Sequence, residues 1–228
     1  MSQEHLRGRI PRWLDRYLWF FETAIEDAVS GFAASLPPNA RVLDAGAGEG
    51  RYRDRFHGVR YTGVDLAVGD ATWNYGKLDV LGDLERLPFA DHSFDACLNV
   101  VTLEHVQQPA AVLRELARTL KPGGRLLLVA PQDWEVHQAP HDYYRYTRYG
   151  IRHLLESAGF VDIAVTAGGG YFRLMGRRML NGLQFFQGIW LLPAALVMAP
   201  LGLLFPLLDG LDRERNFTLG YLCTAIKD

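Results

Sequence analysis

The segment Arg41-Val42-Leu43-Asp44-Ala45-Gly46-Ala47-Gly48-Glu49-Gly50 places two carboxylates around a glycine-rich turn that follows a short apolar strand. Glycines let backbone approach a ligand closely and take positive φ without a Cβ penalty. In dinucleotide-binding folds a turn of this kind wraps a pyrophosphate at a helix N-terminus. Here Asp44 and Glu49 put negative charge beside the loop, which opposes a diphosphate and suits a cation. Roughly 20 residues on, Tyr61-Thr62-Gly63-Val64-Asp65-Leu66 reads as a second strand ending in an acid, where a doubly wound sheet sets a carboxylate against a ribose diol. The chemistry these residues suit is the binding of a nucleoside that carries positive charge.

Three further segments follow in order. They are Asp79-Val80-Leu81-Gly82-Asp83-Leu84-Glu85-Arg86-Leu87-Pro88-Phe89, then Phe94-Asp95 with the apolar run to Val101 and Thr102-Leu103-Glu104-His105-Val106, then Leu120-Lys121-Pro122-Gly123-Gly124 leading into an apolar strand to Ala130. Over residues 40–165 the chain resembles the class I S-adenosylmethionine (SAM)-dependent methyltransferases, in particular the small single-domain type with LPF, FD, LEHV and LKPGG motifs. The resemblance implies SAM as cofactor and methyl transfer as activity. By position, it implies that Gly46 and Gly48 let the backbone pass the methionyl part of SAM and that Asp44 meets its ammonium directly or through water. Asp65 takes the ribose diol, Asp83 accepts from the adenine amino group, and the Leu84 backbone N–H meets a ring nitrogen. Asn99 falls where a backbone carbonyl contacts the methionyl amine. Taken singly, each acid also reads as a solvated or helix-capping residue at a strand end; it is their order and spacing that carry the assignment.

Methyl transfer is an in-line displacement at an already activated carbon, so the protein mainly positions the reactants and excludes water. A base is needed only when the acceptor must lose a proton early. The candidates are His105, in the LEHV motif, and His141, in His137-Gln138-Ala139-Pro140-His141-Asp142-Tyr143-Tyr144-Arg145-Tyr146-Thr147. Neutral imidazole titrates near working pH. Tyr143, Tyr144 and Tyr146 are candidate walls for an apolar or aromatic acceptor. The plainer reading has His105 bonded to backbone and the tyrosines packed on a helix capped by Thr147. The spacing of His137 and His141 invites a zinc reading, but Pro140 forbids a regular helix there, and no metal is expected.

Strand and helix patterns alternate to position these groups. Strands are predicted near 41–45, 61–65, 77–80, 94–100, 125–130, 161–166 and 216–227, and helices over 13–34 and near 50–57, 109–120 and 148–158. Such alternation predicts an α/β, Rossmann-like, doubly wound and mostly parallel sheet. The resemblance makes it seven-stranded with an antiparallel last strand. One domain over 1–228 is expected, with a helical cap (1–38), a SAM-binding core (39–170), an apolar insert between strands six and seven (171–215) and a closing strand (216–228).

A chain of 228 residues, 49% hydrophobic, is long enough for such a core. Its net charge of −2 gives no global reason to expect nucleic acid. Cys97 and Cys223 lie in apolar runs and read as buried thiols in a reducing compartment. Met1 to Arg16 lacks an apolar core of signal-peptide length, so a cytoplasmic protein is expected.

The least ordinary feature is Met179 to Leu208, which carries no charged residue. Pro193, Pro200 and Pro206, with Gly188 and Gly202, argue against one straight membrane span. If the closing strand rejoins the sheet, about 30 apolar residues are too few to cross a bilayer twice at roughly 20 per helix. Three readings compete: an interfacial, membrane-dipping entrance for a lipid-linked acceptor, a hydrophobic lid over a soluble apolar acceptor, and a homodimer interface. The function predicted is methyl transfer from SAM to a small, apolar or lipid-linked acceptor. The alternative is a SAM-binding interaction protein without transferase activity. An NAD-dependent oxidoreductase is disfavoured by the acids around the loop.

Overall fold

The computed structural model describes residues 11–69 and 72–228; the charged stretch Met1–Ile10 lies outside them. Helices α1 (Arg12–Leu18) and α2 (Phe20–Ala34) lead into strands β1 (Arg41–Ala45), β2 (Arg60–Asp65), β3 (Val80–Leu81) and β4 (Phe94–Val100). Helix α3 (Pro109–Thr119), strand β5 (Leu120–Pro131), helix α4 (Arg148–Ser157) and strand β6 (Phe160–Ala167) follow. Helices α5 (Tyr171–Gly182) and α6 (Leu191–Leu204) precede the last strand, β7 (Gly220–Lys227). Seven strands form one sheet in the order β3-β2-β1-β4-β5-β7-β6. The pairs β1–β2, β1–β4, β2–β3 and β4–β5 are parallel, whereas β7 runs antiparallel to β5 with Gly220 opposite Pro131. This is the predicted α/β Rossmann-like architecture. The central strands are near-continuous apolar runs because both faces are covered. Val42, Leu43, Leu98 and Leu126 to Ala130 are accordingly buried. Cys97 and Cys223 are buried free thiols.

Two of the predicted helices differ from the sequence reading, and the strand predicted near 77–80 is only Val80–Leu81, preceded by a 3-10 turn at Tyr75–Lys77. The helix predicted over 13–34 is two helices, because Trp19 leaves helical backbone (φ −111°, ψ 49°) between them. The helix predicted near 50–57 is only a single 3-10 turn, Arg53–Arg55. Gly50 stands in the left-handed region (φ 73°), and Arg51 to Arg55 offer almost no apolar stripe to repay nucleation. By contrast α4 begins where Thr147 predicts, its hydroxyl accepting the Gly150 N–H at 3.1 Å.

The chain divides into two compact units. The sheet and its helices form one, Ile25–Thr166 with Gly220–Asp228. The other joins the chain up to Ala24 with Ala167–Leu219, the segment inserted between β6 and β7. Within that second unit, α5 is capped by carboxylates: Asp209 accepts from the N–H groups of Gly170 (3.1 Å) and Arg173 (3.0 Å), and Asp212 from that of Tyr171 (2.8 Å). Helices α5 and α6 cross at glycines, where a Cβ on Gly176 would lie 2.8 Å from the Gly202 carbonyl. An Arg177–Glu22 ion pair at 2.7 Å adds to the same unit. Gly188–Leu211 is one helical run of 24 residues, more continuous than its prolines predict. Pro193 falls in the first turn of α6 and Pro206 at the start of the next 3-10 turn, where no N–H is missed, so only Pro200 is interior.

Candidate functional site

The glycine loop after β1 takes its shape from positive φ at Gly46 (87°), Gly48 (52°) and Gly50 (73°). A Cβ on Gly46 would sit 2.3 Å from the Thr102 side chain, so only glycine fits. Thr102 is aimed there by Val101, a β-branched residue held at φ 52°, a strained conformation at the carboxyl end of β4. The loop is tied to the end of β2: Gly46 and Ala47 donate to the Val64 carbonyl at 2.8 and 3.1 Å, and Gly48 donates to Asp65 Oδ2 at 2.9 Å. The other oxygen, Asp65 Oδ1, accepts from Ala67 N–H at 2.8 Å.

Asp44 is buried beneath this loop and accepts a hydrogen bond from the Tyr61 hydroxyl. Burial raises its carboxyl to about 6; the Tyr61 bond opposes the rise, Asp65 adds to it and Arg53 offsets it. Asn99, also fully buried, donates from Nδ2 to the Ala45 carbonyl at 2.8 Å. Its Oδ1 has no hydrogen-bond partner among the described residues. A buried carboxyl short of positive charge and an unused buried acceptor fit a ligand bringing an ammonium and a sulfonium. The predicted partner acid Glu49 is exposed instead, and accepts the Asn74 N–H at 2.7 Å. Asp83 caps the 3-10 turn Leu84–Arg86 through the Glu85 N–H at 2.9 Å; Leu84 is buried. The fold therefore gathers Asp44, Gly46, Gly48, Asp65 and Asn99 at the carboxyl ends of β1, β2 and β4. Asp83 and Leu84 follow β3 on the same edge, joined to β2 by the Gly82 N–H to Asp65 carbonyl bond at 3.0 Å.

Sequence reasoning missed Tyr61 and Trp73. Tyr61 reads as an ordinary strand residue. Trp73, whose ring lies 3.3 Å from the Cβ position of Gly48, sits in a stretch with no periodicity to mark it.

The acceptor-side segments are stitched together. The Glu104 carbonyl accepts from Tyr143 N–H at 2.8 Å, the Gln107 carbonyl from Tyr144 hydroxyl at 2.9 Å, and the Leu103 carbonyl from Tyr146 hydroxyl at 2.7 Å. Tyr143 and Tyr144 are each 40% exposed and available to a ligand. Tyr146 is not: it is buried, and its hydroxyl is spent on the Leu103 carbonyl. His141 is half-buried, with Nδ1 3.2 Å from the Tyr143 hydroxyl. His105 departs from the expectation of a base facing the acceptor. Its Nδ1 lies 2.5 Å from the His141 carbonyl, and its Nε2 faces Glu104 at 3.8 Å. Burial lowers its pKa, with the nearby His137 acting in the same direction. Sequence spacing paired His137 with His141, whereas the fold sets His137 against His105, ring centroids 4.7 Å apart. Glu104, fully buried, was not singled out from the sequence; burial raises its carboxyl to about 8.

A seven-stranded sheet in this order with an acid-fringed glycine loop after β1 defines the class: the chain carries a class I SAM-dependent methyltransferase domain. Residues 43–128 match the family model described as a methyltransferase domain. Among curated proteins the chain is similar to malonyl-[acyl-carrier protein] O-methyltransferase of Erwinia pyrifoliae, 31% identical over 165 residues, 67% of this chain and 63% of the relative. It is also similar to demethylmenaquinone methyltransferase of Renibacterium salmoninarum, 36% identical over 104 residues, 42% of this chain and 43% of the relative. The chain thus spans less than two thirds of either. Among solved structures, a SAM-dependent methyltransferase from Thermotoga maritima superposes with a TM-score of 0.56 at 18% identity, covering 98% of this chain and 99% of that one; that likeness is one of fold.

Proposed function

We propose that this chain transfers a methyl group from SAM to an apolar, lipid-linked acceptor presented at the cytoplasmic surface of a membrane. The observation that carries the acceptor class is the run Gly188–Leu211, whose most apolar 18 residues have a mean hydropathy of 2.2 and are only 6% buried. Ile189, Trp190, Leu192, Leu196 and Leu207 expose more than half of their surface. Its length and composition suffice to cross a membrane. However, β6 and β7 belong to one sheet, so both ends of the insert stay on one side. Two crossings would need about 40 apolar residues, which favours a helix lying in the interface. One of the relatives is named for demethylmenaquinone, a quinone acceptor, which supports the same reading.

When bound, SAM supplies a methyl carbon activated by its sulfonium. Asp65, held by the Gly48 and Ala67 N–H groups, has lone pairs left for the ribose diol, and Asp44 supplies the charge that draws the methionyl ammonium. Asp83 and the Leu84 N–H take the adenine edge, Asn99 adds an acceptor for the amine, and Gly46 and Gly48, at positive φ, shape the loop whose backbone passes the ligand. Tyr143 and Tyr144 wall the acceptor. His141, polarised by the Tyr143 hydroxyl, is the base if the acceptor must release a proton early. The test incubates the full chain with methyl-labelled SAM and a membrane lipid extract, and follows the label by mass spectrometry. Label in the organic phase is expected. Label found only in water-soluble products, or none transferred, overturns the lipid reading.

A further inference from the structure

The LEHV segment and the loop after β5 hold a side-chain cluster that binding of the donor does not use. Glu104 is fully buried, and neither of its carboxylate oxygens has a hydrogen-bond partner among the described residues. His105 Nε2 is buried and equally unpartnered. Both histidines have their other nitrogen committed to backbone. His105 Nδ1 lies 2.5 Å from the His141 carbonyl and His137 Nδ1 lies 3.0 Å from the Glu135 carbonyl. A carbonyl only accepts, so each Nδ1–H donates, and the neutral ring then has its lone pair at Nε2. Those two nitrogens both lie near Glu104 Oε1, at 3.8 Å (His105) and 3.9 Å (His137). The three ligand atoms lie within 4.8 Å of one another.

Separations of 3.8 and 3.9 Å are too long for hydrogen bonds. They are a few tenths of an ångström wider than the roughly 3.4 Å that a tetrahedral ion with bonds near 2.1 Å sets between its ligands. Backbone-anchored Nδ1–H groups are what orient metal-binding imidazoles. The loop carrying His137 is itself braced. Asp142 accepts the His137 N–H at 2.8 Å and is clamped by Arg145 at 2.6 and 2.8 Å.

We propose that Glu104, His105 and His137 form a binding site for one divalent transition-metal ion of the Zn2+ class. Two imidazoles and a carboxylate suit such an ion better than Mg2+ or Ca2+, which prefer oxygen donors alone. Three protein ligands leave coordination positions open for a small oxygen ligand. The site goes beyond the donor chemistry and does not depend on which acceptor is used.

The experiment strips the full-length chain with a chelator, confirms its melting temperature and SAM binding, and titrates Zn2+ against a chromophoric competitor. Metal content after dialysis is counted by mass spectrometry, and Co2+ absorption reads the ligand set. One ion per chain is expected, with Co2+ bands typical of nitrogen and oxygen ligation. H137A and E104Q should each weaken Zn2+ by about 100-fold or more. His137 is half-buried on a loop, so H137A keeps the test valid if E104Q fails to fold. Substoichiometric Zn2+ in the parent chain, or unchanged affinity in H137A, overturns the proposal.

Discussion

At the scale of the residue, the donor site turns on a carboxyl that is expensive to ionise. Asp44 has its folded pKa raised to about 6, first by burial, against about 3.9 for a free carboxyl. The folded chain therefore holds more protons than the unfolded chain between those values, and stability falls as pH rises through this window. The contribution, about 3 kcal/mol at most, is fully present below pH 4 and lost above pH 6. A cationic ligand reverses the balance by stabilising the charged form. SAM affinity should accordingly rise between pH 5 and 7, with proton release visible by calorimetry in buffers of different ionisation enthalpy. D44N should weaken SAM at least about tenfold while raising the melting temperature of the ligand-free protein at pH 8. A pH-independent affinity would remove Asp44 from contact with the ammonium. Its type and place at the end of β1 were legible in the sequence; its Tyr61 partner and its desolvation were not, since neither follows from neighbours along the chain.

At the scale of the element, the strands were the legible part. Each is a short apolar run punctuated by glycine, proline or acid, and that punctuation is local. The stretch 50–57 was misread because a helix needs a packed face as well as tolerable residues, and Arg51 to Arg55 offer none. The helical continuity of 188–211 was under-read for the opposite reason: prolines break helices in the interior, but two of these three stand at helix starts. The crossing of α5 and α6 gives a direct check. A Cβ at Gly176 would meet the Gly202 carbonyl and the Pro206 ring, each at 2.8 Å. G176A should therefore push the helices apart at a cost of about 1–3 kcal/mol, seen as faster proteolysis within 183–190. Unchanged protection would show that the crossing is not close-packed there.

At the scale of the whole molecule, a donor-binding sheet and an apolar insert share one chain without sharing a sequence signal. The first is written in spaced acids and glycines, the second in the absence of charge from Met179 to Leu208. If the insert docks on membranes, the full chain should float with liposomes. Replacing Ile189 and Leu196, both strongly exposed, by Glu should reduce the bound fraction about tenfold or more. SAM affinity should be unaffected by the same change. Equal flotation of both forms would dismiss membrane docking. Parent chain that stays in solution as a dimer, and becomes monomeric on substitution, would reassign the surface to a second copy.

The order of the strands, the donor loop and the charge-free insert are properties of pattern, and pattern lies along the chain where a reader of residues can find it. The burial of Glu104, the meeting of His137 with His105 and the withdrawal of Tyr146 from the acceptor side arose only in three dimensions. Desolvation and lone-pair direction depend on which distant segments the backbone brings together. Nothing in the spacing of residues 104, 105 and 137 encodes that approach.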